Sequence, residues 1–381
     1  MLVGQRFQVR EEAGEGGMGV AYRAWDLQLE KEVVVKLPQL PGTADLEPDA
    51  YDRTMKRFAR EARVLRQLEH PKIPAVVGEG EHGSLPYIAM TYIRGHKLTA
   101  YRRKNVPRRA EFAAIGTSVG TALDACHQEQ ILHRDLKPDN IMVGENGAVY
   151  VIDFGIALPL TKDATSYTKN FVGTDAYAAP ERFRKGDQVQ SDLYSLGCVF
   201  YFLIVGWPPF NEDNGKSLEE QHREDPPIPP SRFRHQVPRD LEDLTLALLA
   251  KNVDSRPGIG EVLGTLKQYL PAEGGLEPNP VLMPDVTLPY RTPDKVRPPE
   301  APARSRTRAA KPFRASSRHD FLTETDIDAT IQRALAEHDR GDSHAAAQTL
   351  TELRHHAIES FGVDNPNLEP IDAALNVVGD H

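Results

Sequence analysis

The sequence predicts an α+β fold of two unequal lobes: a small β-rich lobe, a larger helical lobe, then a linker and a small helical tail. Three observations carry this. Residues 1 to about 90 show strand signals with one helix, helices dominate from about residue 108, and composition shifts near residue 271 into a run rich in Pro, Arg, Ala and Ser. The expected boundaries are 1–270 for the bilobal domain, 271–321 for a disordered or extended linker and 322–381 for the tail. A strand-rich lobe joined to a helical one leaves a cleft between them.

Composition narrows the function classes. With 46 basic against 55 acidic residues the net charge is −9, which argues against a general nucleic-acid binder. No apolar run reaches the roughly 18 residues of a membrane span. The opening "MLVGQRFQVREE" lacks the apolar centre of a signal peptide. Cys126 and Cys198 both sit in apolar, helix-like stretches and read as buried free thiols, with no disulfide framework. A cytoplasmic protein without nucleic-acid partners or a membrane span is expected.

The first strands, "FQV" and "VAYRAW", flank a glycine-rich turn in which Gly14, Gly16 and Gly19 fit G-x-G-x-x-G. Glycines let backbone amides approach phosphates closely. A dinucleotide-binding turn needs a helix directly after the glycines, and here a strand follows. The third strand, "EVVVKL", ends the apolar run Val33–Val35 at Lys36, whose ammonium needs a partner or a ligand. A helix at about 50–69 carries the stripe Phe58, Ala62, Leu65 and Leu68. Glu61 falls on the same stripe, and pairing with Lys36 explains an acid there.

In "ILHRDLKPDNIMV", residues 131–143, two apolar runs bracket a polar cluster that is costly to bury without partners. The strands Ile141–Val143 and Val149–Ile152 form a hairpin around "GENG". Pairing Val143 with Val149 sets Asn140 opposite Ile152, so Asn140 and Asp153 meet at the hairpin mouth. An amide oxygen beside a carboxylate suits Mg²⁺. Asp135 and Lys137 lie on the loop feeding that mouth, one able to accept a hydroxyl proton, the other to neutralise a phosphate.

In order and spacing these motifs resemble the bacterial branch of the eukaryotic-like (Hanks-type) Ser/Thr protein kinases, over about residues 7–270. The resemblance implies a bilobal kinase fold and an ATP site at Ala13, Gly14, Gly16, Gly19, Ala21, Val34, Lys36, Met90, Tyr92 and Met142. It implies a phosphate-binding Lys36 paired with Glu61, a proton-accepting Asp135, a γ-phosphate lysine at Lys137, and Mg²⁺ (or Mn²⁺) ligands at Asn140 and Asp153. It implies structural ties through Asp192 and between Glu181 and Arg256, a hinge at 90–93, and protein substrates with Ser or Thr acceptors. Thr165, Ser166 and Thr168 are candidate phosphosites, Ser166 and Thr168 at the spacing where bacterial relatives are autophosphorylated, and a phosphate there is expected to pair with Arg134. Three positions depart from the family pattern: Ala21 stands for a usual Val, Val34 for a usual Ala, and Thr91 for a hinge acid. The first two are expected to compensate on one pocket wall. The rival reading is a weakly active scaffold working through its tail. The intact set Lys36, Glu61, Asp135, Asn140 and Asp153 argues against it.

The later half of the linker is basic and the tail acidic. Thr325–Gly341 and Ser343–Phe361 read as two amphipathic helices, with a short third after "DNPNLEP". The pair weakly resembles one tetratricopeptide-like unit, which buries its apolar face poorly alone. Docking on the first domain, self-association or a separate partner is therefore expected.

Overall fold

The computed structural model describes residues 1–16, 19–38, 55, 58–59, 62, 65–83, 85–153, 158–159, 175–184, 186–211, 215–234, 236–296, 330–335, 338, 343–361 and 368–379. The positions of Glu61, Thr165, Ser166 and Thr168 lie outside them.

Alternation sets the first lobe. In β4 (Lys31–Pro38) Val33, Val35 and Leu37 turn to one face, where they pack with Val3, Phe7, Ala24, Tyr87 and Ala89. The period of two sends Val34 and Lys36 to the opposite face. β1 (Leu2–Val3), β2 (Phe7–Gly16), β3 (Gly19–Asp26), β4, β5 (Val76–His82) and β6 (Leu85–Thr91) form one sheet in the order β1-β2-β3-β4-β6-β5. All its pairings are antiparallel. Phe58, Leu65 and Leu68 bury their side chains in a second core shared with the helical lobe.

That lobe is built on α1 (Leu98–Lys104), α2 (Arg109–Gln128), α3 (Val189–Val205), α4 (Leu218–Glu224), α5 (Arg239–Leu248) and α6 (Ile259–Lys267). Every residue of α3 from Ser191 to Val205 is buried. Its sequence is apolar almost all round, which suits a helix enclosed by others rather than one with a solvent face. It ends at Gly206, whose φ of 107° closes a left-handed cap. Cys126 and Cys198 are buried and unbridged, and burial pushes both thiols well up. Two small ladders lie between the lobes: β7 (Gly95–Lys97) with β9 (Ile141–Gly144) and β10 (Val149–Val151), and β8 (Ile131–Leu132) with β11 (Leu158–Pro159).

The chain does not leave the helical lobe at Pro271. Residues 271–296, expected to be linker, run back across α2 as a packed strap that includes the single turn α7 (Leu288–Arg291). Arg108 donates to the carbonyls of Asn279 and Pro280, both at 2.6 Å, and Asn105 donates to that of Met283 at 3.2 Å. Val286 is buried in the lobe core, and the Tyr290 hydroxyl meets Ser118 and the Ala114 carbonyl, each at 3.1 Å. Buried Arg291 pairs with Asp285, and Val296 packs on Ile93, Ala148 and Tyr150 beside the segment joining the lobes. A Pro- and Gly-rich stretch has no apolar periodicity, so a strap held by its backbone carbonyls reads as linker in sequence.

In the tail, helical residues 330–335, α8 (Ser343–Phe361) and α9 (Glu369–Gly379) enclose a core of their own: Ile331, Ala334, Ala346, Leu350, Leu353, Leu368, Ile371, Ala374 and Val378. The third helix supplies the apolar face that a helical pair lacks. Among the described residues no helix is long and apolar enough to cross a membrane.

Candidate active site

The site is assembled where the Lys36 face of the sheet meets the hairpin of the second lobe. Lys36 Nζ donates to Asp153 Oδ1 at 2.7 Å. Glu61, its expected partner, lies outside the described residues. Burial pushes the Asp153 carboxyl up, but the charge and hydrogen bond of Lys36 outweigh it and hold the group below its ordinary range. Asp153 is therefore an anion at neutral pH.

The hairpin register is Val149 opposite Val143, Tyr150 opposite Met142 and Val151 opposite Ile141. Ile152 N–H then donates to the Asn140 carbonyl at 2.9 Å, which brings Asn140 and Asp153 to the same end. Asn140 Nδ2 donates to the Asp135 carbonyl at 2.8 Å and to Asp135 Oδ2 at 3.0 Å. With its amide nitrogen committed to Asp135, Asn140 offers its oxygen to a cation. Amide oxygen and carboxylate together fit a hard divalent ion.

Lys137 Nζ also donates to Asp135 Oδ2, at 2.9 Å. The other oxygen, Asp135 Oδ1, is buried and meets no hydrogen-bond partner among the described residues. A buried, unmatched carboxylate oxygen is costly unless a ligand proton completes it. Backbone strain collects here too: Arg134 and Asp153 hold φ of 65° and 61°, a left-handed conformation non-glycine residues seldom adopt.

The loop is held from beneath by α3. Asp192 accepts from the backbone N–H groups of His133 and Arg134, both at 2.9 Å, and meets His127 Nε2 at 2.9 Å. Burial works against its charge, but these donors keep its carboxyl below the usual range. Arg256 donates to both oxygens of Glu181 at 2.7 and 2.9 Å, and Ser191 donates to the same carboxylate at 2.6 Å. Glu181 is likewise held low by Arg256 and Ser191 despite burial.

On the opposite wall, Gly19 lies so close to the Leu37 carbonyl that a Cβ would overlap it. Ala21 pairs with Lys36, and Val34 with Arg23 on one side and Met90 on the other. Ala21, Val34, Lys36 and Met90 thus share one face, with Ala21 and Val34 as diagonal neighbours. Met142 belongs to the small cluster of Ile93, Ala148 and Tyr150 on the facing hairpin. Thr91, which stands where the family pattern has a hinge acid, is turned inward: its Oγ1 accepts from Ala75 N–H at 3.0 Å and its own N–H donates to the Ala75 carbonyl at 2.9 Å. Tyr92 stacks under the Arg23 guanidinium, 5.2 Å from the ring centre.

Sequence reasoning missed Asp187, which reaches Arg134 and is itself paired with Arg182, and His127, which reaches Asp192. They carry no local motif, and only the packing of α2 and the segment before α3 brings them in.

Residues 7–266 match the protein kinase domain. The chain is 41% identical over 264 residues to the serine/threonine-protein kinase PknB of Mycolicibacterium smegmatis, covering 66% of this chain and 40% of the relative. It is 40% identical over 262 residues to the PknB of Mycobacterium tuberculosis, with coverage of 66% and 40%. A probable serine/threonine-protein kinase PknB of Bifidobacterium longum is 36% identical over 271 residues, covering 67% and 38%. The alignment thus takes in about two fifths of these relatives' length, and the family match ends at residue 266, before the strap and the tail. A family match over more than half the chain, on a site of this geometry, makes the chain a member of the protein kinase family.

Proposed function

We propose that this chain is a Ser/Thr protein kinase that transfers the γ-phosphoryl group of ATP to protein hydroxyls. The observation that carries this is the split environment of Asp135, with Oδ2 held by Lys137 and Asn140 while Oδ1 is buried without a partner among the described residues. Oδ1 is then the atom that accepts the acceptor hydroxyl's hydrogen bond and orients it towards the γ-phosphorus. Lys137, one bond from Asp135, is near enough to neutralise charge on the moving phosphoryl group. Lys36 positions the α- and β-phosphates and keeps Asp153 ionised. Asn140 and Asp153 would hold Mg²⁺, or Mn²⁺, which supplies positive charge to the phosphate oxygens. Gly19 gives the glycine turn its close approach to the neighbouring strand, and Ala21, Val34 and Met90 offer the adenine an apolar wall.

Purified protein with Mg²⁺ and ATP should phosphorylate itself or a peptide on Ser or Thr. Asp135→Asn removes the proton acceptor at constant shape and should lower the rate by about 10²–10⁴-fold. Lys36→Met should do so comparably. Undiminished labelling by Asp135→Asn would remove this mechanism.

A further inference from the structure

Arg134 precedes Asp135, and its side chain is only 4% exposed. A guanidinium enclosed to that degree requires an anion nearby. Asp187, 8% exposed, provides one: its Oδ2 lies 3.3 Å from Arg134 Nε, and its Oδ1 lies 3.2 Å from Arg182 Nε. One carboxylate is thus shared between two arginines, as ion pairs by distance rather than as aligned hydrogen bonds.

The position of Asp187 in the chain matters as much. It sits between Glu181, pinned by Arg256 and Ser191, and Asp192, which holds the backbone N–H groups of His133 and Arg134. Arg134 is therefore gripped twice from one short segment, by side chain through Asp187 and by backbone through Asp192. Its left-handed φ fixes where the next residue, Asp135, points. The sequence leads one to expect a phosphate at Thr165, Ser166 or Thr168 as the partner of Arg134, yet a carboxylate from beyond that segment already stands against it.

We propose that Asp187 is a positioning residue: it is the built-in anion that seats Arg134 and hence Asp135, so that the catalytic loop is assembled without a phosphate at Thr165, Ser166 or Thr168. The proposal rests on the kinase reading above and deepens it. A phosphate arriving later meets an Arg134 that already has a carboxylate against it, and so adjusts the rate rather than switching it on.

The test uses the 381-residue chain, phosphatase-treated and checked by mass, and a Ser/Thr peptide assay. Dephosphorylated wild type should keep kcat within about threefold of the phosphorylated form. Dephosphorylated Asp187→Asn should lose about tenfold or more in kcat with KM for ATP within about twofold, since the loss concerns orientation of the acceptor rather than nucleotide binding. Asp187→Glu should recover most of it. Asp187→Asn phosphorylated in trans by wild type should also recover, because the phosphate supplies the missing anion, and a purely structural role would not produce that rescue. The triple variant Thr165→Ala/Ser166→Ala/Thr168→Ala, which leaves Asp187 untouched and serves even if Asp187→Asn misfolds, should retain kcat within about threefold. A tenfold loss in the triple variant or in dephosphorylated wild type overturns the proposal, as does full activity of dephosphorylated Asp187→Asn. Wild type no more active than Asp135→Asn would instead count against the kinase reading itself.

Discussion

Single residues here answer to their surroundings more than to their type. Ala21 and Val34 exchange a methyl-rich and a methyl-poor position on one face of the sheet, and they are diagonal neighbours through Lys36. The double change Ala21→Val with Val34→Ala should bind ATP about as well as wild type, while at least one single change binds worse, by about 1 kcal/mol. Strictly additive effects in a titration calorimeter would remove the coupling. His222 shows the same dependence on place. It is fully buried, its Nδ1 meets the Tyr194 hydroxyl at 2.9 Å, and Phe210 packs edge-on against its ring. Burial, with Lys251 nearby, lowers its pKa to about 3. Below pH 6.5 the unfolded chain takes up a proton there that the folded chain refuses, so stability falls as pH falls. The loss is about 1.4 kcal/mol per unit, or about 2 kcal/mol from pH 6.5 to 5. Burial lowers His70 and His133 too, which adds in the same direction. Urea unfolding at the two pH values checks this, and His222→Phe should flatten the slope. An unchanged slope in that variant would assign the effect elsewhere.

At the scale of elements, the strap of 271–296 extends the second lobe beyond the last long helix. It covers α2 and reaches the segment between the lobes, with Val286 buried, Tyr290 largely so, and the buried Arg291 paired to Asp285. Gly147 in the hairpin turn, at φ 78°, comes so near the Asp285 carbonyl that a Cβ would collide with it. A chain ending at Leu270 should therefore be less stable than one ending at Val296 by at least about 3 kcal/mol, from two apolar side chains at about 1.5–3 kcal/mol each. Denaturant midpoints of the two truncations measure the difference. Equal midpoints would mean that the strap rests on the lobe without stabilising it.

At the scale of the whole molecule, the tail is the part whose sequence reading changes most. Nine buried residues from three helical segments form a core distinct from that of the kinase lobes. Arg354 and Asp372 add an ion pair at 2.5 Å between α8 and α9. The tail thus has no need to dock in order to bury its apolar faces. An isolated fragment of residues 322–381 should show helical circular dichroism and melt cooperatively. Leu350→Ala should abolish that transition, because a core deletion costs about 2–5 kcal/mol and so small a core supplies little more. A fragment that is unstructured alone but helical when mixed with the chain ending at Val296 would restore docking as the source of its order.

The sequence by itself determined the site's ingredients and the hairpin. Val143 opposite Val149, with Asn140 and Asp153 carried to one end, follows from period-two alternation around a four-residue turn, a purely local rule. The alternation of Val33, Val35 and Leu37 likewise forces Lys36 to the other face. Tail helices could be read from their apolar spacing, with α8 spanning the predicted Ser343–Phe361. Only the tertiary structure decided that Asp187 joins Asp192 in holding the loop around Arg134. Asp187 and Arg134 are far apart in sequence and meet because buried α3 brings its preceding segment beneath the loop. It also decided that 271–296 is part of the lobe: a strap anchored by Arg108, Asn105 and Tyr290 through backbone carbonyls depends on shape complementarity with α2, and no periodicity in its own residues records that.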